Sequence, residues 1–332
     1  MNRTKGPFLA AFLLISTVSL TPFLAAAEAL TGKESNQELW GALLQRGGVT
    51  NTQVRRDFHR ELASARRDPQ RTYPDNPLAD LKKIEDPLPL LGGYPSLKSP
   101  ESTPMKSPAV GFWEAAAPAA EGRDATRYYL WAPPQYDASK EWPLIVILHG
   151  GGSGPGSAWA AHYLALYSNW YGDKPYIVVA VPAPVNKSPW FQKANVEAVL
   201  DAMADVCRRF NIDRKRMYLN GHSLGGWGVT DFAWAAPDLF AAYAPETCAT
   251  ALPNPAPDLK GTAFILFNCG GEKFAKRLRD AGADAAAYDI PSAHSIPHEK
   301  TKPKMFEFFD NHVNNCAPDL ELARQLLLER VQ

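Results

Sequence analysis

Cysteine is scarce in this 332-residue chain: there are four, at positions 207, 248, 269 and 316. Four are too few for a scaffold built on disulfides, and their spacing does not resemble a zinc site, so no metal is expected. An excess of either charge is also missing, with 35 Lys and Arg against 35 Asp and Glu. That balance leaves no electrostatic footprint for nucleic acid or an acidic membrane surface. Beyond the first thirty residues no stretch is long and apolar enough to span a bilayer, and no internal repeat is present. What the chain does have is 45% hydrophobic residues, an ordinary globular composition. It also has 29 prolines, ten of them between Pro69 and Pro118.

Arg3 and Lys5 precede an uncharged run, Phe8–Leu20, and Ala25, Ala26, Ala27 and Ala29 follow. A short positive start, an apolar middle and an Ala-x-Ala exit predict a secretory signal peptide cut near Ala27 or Ala29. An uncleaved membrane anchor is the other reading. Ser16, Thr17, Ser19 and Pro22 weaken it, because a spanning helix needs about 20 strongly apolar residues. Export would make the mature chain secreted or periplasmic, where thiols oxidise and the four cysteines allow three pairings.

From Glu34 to about Arg67 the pattern is helical. Ser35 and Glu38 form a capping box, Gly47-Gly48 is a stop, and Val54, Phe58 and Leu62 recur at helical spacing. The proline-rich stretch from Asp68 to Ala109 forbids long helices and reads as an extended connector. After Val110 the character changes. Trp142–Leu148 (WPLIVIL) and Tyr176–Val181 (YIVVAV) are near-continuous apolar runs, as expected of strands buried on both faces. Arg127–Trp131, Met217–Leu219, Phe240–Tyr243, Phe264–Phe267 and Ala286–Ile290 add five more strands. Helical patterns lie between them at Ala194–Phe210, Leu224–Trp234, Lys273–Ala281 and Pro303–Val313, with a last amphipathic segment at Leu320–Val331. Alternating strands and helices predict an α/β fold with a mostly parallel central sheet covered on both faces. The expected divisions are a signal peptide at 1–29, a helical arm and connector at 30–109, the α/β domain at 110–314 and a C-terminal helix at 315–332.

Chemistry concentrates in three places. Gly221-His222-Ser223-Leu224-Gly225 lies between the strand ending at Leu219 and the helix beginning at Leu224. In a strand-to-helix turn of this kind the small neighbours let a serine stand exposed above the sheet, which makes Ser223 the candidate nucleophile. His149-Gly150-Gly151-Gly152-Ser153-Gly154 ends the WPLIVIL strand and can aim backbone N–H groups inward. Gly151 and Leu224 N–H are the candidate oxyanion donors; His149 reads as support for the loop. The loop lacks the Gly-Lys-Ser/Thr ending of a P-loop and the spacing of a dinucleotide site, so no cofactor is expected. Of seven histidines, His294 follows the last strand and is the candidate base, with His298 as the alternative.

On these motifs, and on the stretches YYLWAPPQYDASKEWPLIVILHGGGSG and FNIDRKRMYLNGHSLGGWGVTDFAWAAPDLFAAYAP, the chain resembles the α/β-hydrolase superfamily. Within it, the chain is similar to secreted bacterial esterases related to feruloyl esterases, polyhydroxybutyrate depolymerases and peptidase-like hydrolases. The resemblance spans about Arg127 to Val313. It implies a serine hydrolase acting through an acyl-enzyme, with Ser223, His294, Gly151 and Leu224 in the roles above. It also implies an aspartate in a G-x-x-D turn after the seventh strand, and this chain departs from that: FILF is followed by Asn268-Cys269-Gly270-Gly271-Glu272. Glu272 is the first candidate for the acid and Glu246 the alternative.

Cys248 and Cys269 are expected just past neighbouring strand ends, where a disulfide would brace the rim. Thr247 to Thr262 leaves no room for a large cap domain, which suits an open site for small-molecule or polymer-linked esters. Trp190, Phe191 and Trp227 are candidate aromatic walls for the substrate, with core packing as the other reading of Trp227. A serine peptidase or amidase, or an inactive binding protein of the same fold, are the alternative functions.

Overall fold

In the computed structural model the chain divides into two units, Met1–Gly92 and Gly93–Gln332. The residues described are 92–93, 111–118, 124–133, 135–151, 160, 163–164, 171, 174–184, 188–291, 294 and 298–331. The expected signal segment and, apart from the two-residue strand at Gly92–Gly93, the arm and connector lie outside them.

Among the described residues eight strands lie wholly within the second unit: β1 (Gly111–Ala117), β2 (Thr126–Ala132), β3 (Trp142–Leu148), β4 (Ile177–Val181), β5 (Ile212–His222), β6 (Ala242–Glu246), β7 (Ala263–Phe267) and β8 (Asp284–Tyr288). They run β1-β2-β4-β3-β5-β6-β7-β8 across one sheet. β1 pairs antiparallel with β2, and β2 antiparallel with β4; every pairing from β4 through β8 is parallel. The fold is therefore the expected mostly parallel sheet with an antiparallel edge.

Every residue of β3 and β4 is buried, as their unbroken apolar sequences require. Alternation divides the sheet between its two faces. Leu144, Val146, Met217 and Leu219 share one cluster with α1 (Lys193–Arg209) and α2 (Leu224–Ala235). Tyr218 points the other way and stacks on Phe309 of α4 (His298–Asp310), with ring centroids 4.5 Å apart. Helix α3 (Gly271–Asp280) packs on β7 and β8 through its buried Phe274 and Leu278.

Element ends shift by a few residues, α4 starts at His298 and takes Pro303 inside it, and three elements differ more. β1 reads GFWEAAA, an alanine-rich run without a strand signal; pairing with β2 and burial of Ala115 and Ala117 make it a strand. β5 is much longer than Met217–Leu219, because its first half carries Asp213, Arg214, Lys215 and Arg216 at a partly exposed end. Finally α5 (Leu320–Arg330) is no separate tail. Ala323 and Leu327 are buried against α1 and α2, Arg324 pairs with Asp201 of α1 at 2.7 Å, and Arg330 bonds the Trp234 carbonyl.

Candidate active site

Three consecutive parallel strands end in the same way. Ser223, Thr247 and Asn268 are the first residues after β5, β6 and β7, and their φ angles are 56°, 51° and 54°. Each donates its N–H to the carbonyl of the last residue of the next strand: Ser223 to Glu246 at 2.7 Å, Thr247 to Phe267 at 2.8 Å and Asn268 to Tyr288 at 3.1 Å. Left-handed backbone is costly for residues with a Cβ, on the order of 1–3 kcal/mol each. The ladder of next-strand carbonyls holds it in place and lines the three turns along the carboxyl edge of the sheet, where ligands of open α/β sheets bind.

The glycines of the first turn are there for space. A Cβ on Gly221 would lie 2.4 Å from the Gly225 carbonyl oxygen, and one on Gly225 would lie 2.0 Å from that of Leu148. The chain closes so tightly because α2 begins at once at Leu224, directly against the end of β3. This closure sets Gly151 beside Leu224, the two residues expected to supply oxyanion donors. A Cβ on Gly151 would touch the Leu224 side chain at 3.3 Å, and the Leu224 N–H, in the first turn of α2, has no acceptor within the helix. Gly152, Ser153 and Gly154 lie outside the described residues.

His294 Nε2 lies 2.7 Å from Ser223 Oγ. This is the hydrogen bond that a serine–histidine pair needs. Both residues are at least partly open to solvent, His294 being exposed. His222, between Gly221 and Ser223, turns its ring beneath His294 rather than to Ser223 Oγ. Its Nδ1 is 2.7 Å from Tyr163 Oη and its Nε2 is 3.0 Å from the His294 carbonyl oxygen.

His149 is fully enclosed. Ala183 N–H donates to its Nε2 at 3.0 Å, so Nδ1 holds the proton and donates to the Gly150 carbonyl at 2.9 Å. Burial pushes its pKa down to about 4, which keeps the ring neutral. It braces the loop after β3, as read from sequence.

The carboxylates and aromatics depart from expectation. Glu272 sits in the first turn of α3 with its side chain 73% exposed, and its carboxylate pairs with Arg279 two turns along the same helix. Gly270 and Gly271, with φ of 73° and 58°, turn the chain straight into α3 and carry Glu272 with it, so it is not brought to His294. Gly271 admits no side chain, since a Cβ there would lie 2.3 Å from the Asp289 carboxylate. Glu246 is fully buried at the end of β6. Its Oε1 is 2.5 Å from Lys302 Nζ of α4, which also reaches Asn220 Oδ1 at 3.1 Å.

Trp190 is 1% exposed, donates its Nε1–H to the His149 carbonyl at 2.9 Å and packs beneath Gly228 of α2. It is core rather than a substrate wall. Phe191 lies edge-on to Phe232 at the core margin. Trp227 alone of the three stands open, 46% exposed, with its Nε1–H on the Ala249 carbonyl at 2.5 Å.

The Cys248 and Cys269 sulfurs are 2.6 Å apart, both buried and both free thiols; burial pushes the Cys269 thiol up, away from thiolate chemistry. The Thr247–Thr262 connection holds neither helix nor strand, so no cap domain enters between β6 and β7. Among the described residues no group of His, Cys, Asp and Glu could hold a metal ion.

No protein-family model and no curated protein matches the chain. Solved structures do. A thermostable esterase is 20% identical, over 61% of this chain and 63% of that one, with a TM-score of 0.48. The fluorophosphonate-binding serine hydrolase F of Staphylococcus aureus is 14% identical over 60% and 99%, with a TM-score of 0.45. A ferulic acid esterase from Anaeromyces mucronatus, solved with ferulic acid, is 14% identical over 64% and 96%, with a TM-score of 0.44. The chain thus spans just under two thirds of the length of the first of these. The fold rests on the chain itself: its strand order and its strained serine turn are those of an α/β-hydrolase fold.

Proposed function

We propose that the chain is an exported serine hydrolase that cleaves carboxylic esters. The observation that carries this reading is the 2.7 Å bond between His294 Nε2 and Ser223 Oγ at a turn held in left-handed backbone. In the proposed reaction His294 takes the Ser223 proton as Oγ bonds to the ester carbonyl carbon. The carbonyl π electrons move onto oxygen, where the Gly151 and Leu224 N–H groups receive the charge. Collapse breaks the bond to the alcohol, which leaves with the proton from His294. Water, deprotonated by His294, then releases the acid and restores Ser223. Trp227, exposed one helical turn beyond Ser223, offers its indole face to an acyl or aryl group.

The mature protein should hydrolyse p-nitrophenyl and feruloyl esters and leave the matching p-nitroanilide nearly untouched. Turnover of the anilide at a comparable rate would move the reading to an amidase, and turnover of none would remove it. Glu272 is outside the reacting group in this reading, so Glu272→Gln should leave kcat within about twofold, the range of an exposed ion pair; a loss beyond tenfold would return it to the acid's role. Export would expose the adjacent Cys248 and Cys269 thiols to oxidants, and we place a disulfide there. Peptide mapping without reductant checks it: a crosslinked pair is expected, and two alkylatable thiols would contradict it.

A further inference from the structure

His222 occupies the variable position of the G-x-S-x-G turn, yet it is 5% exposed and both ring nitrogens have partners. Those partners fix the place of one hydrogen. A carbonyl can only accept, so the nitrogen facing the His294 oxygen, Nε2, carries the hydrogen. In a neutral ring Nδ1 is then a bare acceptor, and the Tyr163 hydroxyl at 2.7 Å supplies the matching donor. Space for this chain of bonds is kept by Gly150, where a Cβ would lie 2.9 Å from Tyr163 Oη and 3.3 Å from His222 Nδ1.

The last bond of the chain ends on the backbone of the residue whose side chain meets Ser223. The His222 and His294 ring centroids are 5.2 Å apart. A charge on His222 would oppose the charge His294 takes up whenever it removes the serine proton. A neutral ring held by Tyr163 avoids that cost and still holds the His294 carbonyl.

We propose that His222 is a positioning residue. As the neutral Nε2–H tautomer fixed by Tyr163, it ties down the His294 main chain and thereby sets the His294-to-Ser223 contact. This rests on reading Ser223 and His294 as the reacting pair. Displacing a reacting group by about 1 Å can cost a hundredfold in rate. The loss should therefore fall on kcat, because His222 is not exposed to substrate.

The test is steady-state hydrolysis of a p-nitrophenyl ester by the full chain and by H222F, H222Q, Y163F and S223A, with thermal melts to show which variants fold. H222F should lower kcat on the order of 10- to 100-fold, with KM within about twofold. H222Q places an amide N–H near the position of Nε2 and should recover most of the loss. Y163F should fall between the wild type and H222F. A folded H222F with unchanged kcat would overturn the proposal, as would H222Q no better than H222F. If H222F does not fold, Y163F decides: a lowered kcat at unchanged KM supports the proposal and an unchanged kcat overturns it. S223A as active as the wild type would instead overturn the underlying reading, and the proposal with it.

Discussion

Replacing His294 by alanine should lower kcat for a p-nitrophenyl ester on the order of ten-thousand- to a million-fold while the fold remains intact. The size follows from the geometry. Ser223 Oγ has the 2.7 Å bond to His294 Nε2 along which its proton would leave, and a serine hydroxyl without a base is a poor nucleophile at neutral pH. His294 is exposed, so its removal opens no cavity. In the proposed reaction the two residues act as a unit, so the double variant with Ser223→Ala should be hardly slower than either single one. A His294→Ala loss of less than tenfold would place the base elsewhere.

The second large effect concerns stability. Lys302→Met should destabilise the domain by about 3–5 kcal/mol in urea unfolding, because it strands the Glu246 carboxylate without its cation. Both side chains are fully buried, with 2.5 Å between Nζ and Oε1. Burial pushes the Lys302 pKa down, and the Glu246 charge opposes that shift. Glu246→Gln combined with Lys302→Met replaces the ion pair by neutral groups of similar size, and should recover most of the loss. Lys302→Met within about 1 kcal/mol of the wild type would show that the pair contributes no more than an exposed one. The pair also joins β6 to α4, whose first residue, His298, lies four positions beyond His294. Variants of either partner should therefore be assayed for activity only where the melt shows them folded.

The sheet and the serine turn were legible because their constraints are local. WPLIVIL can only be a strand buried on both faces, and Gly221 and Gly225 must be glycine because carbonyl oxygens occupy the space of a Cβ. Topology points to His294 as the first histidine after the last strand, with His298 left as the alternative. The rest depends on what packs against what. Nothing in FNCGGEK states that two successive left-handed glycines deliver Glu272 to solvent and to Arg279. Trp190 reads as a loop aromatic until Gly228 is seen to make room for it beneath α2. His222 looks like a bystander beside Ser223, and only the distances to Tyr163 and His294 give it partners. Its signal in the sequence is slight: a polar ring at a position that the turn buries. Lys302 is harder still, since a lysine in a charged helix start (HEKTKPK) reads as exposed, and only the buried Glu246 opposite shows otherwise.

The central claim is that Ser223 is an activated nucleophile. Its most direct test is covalent labelling of the purified protein with a fluorophosphonate probe, located by peptide mass spectrometry. The wild type should carry one adduct, on Ser223, and Ser223→Ala should carry none. An unlabelled wild type, or equal labelling of both proteins, would contradict the account.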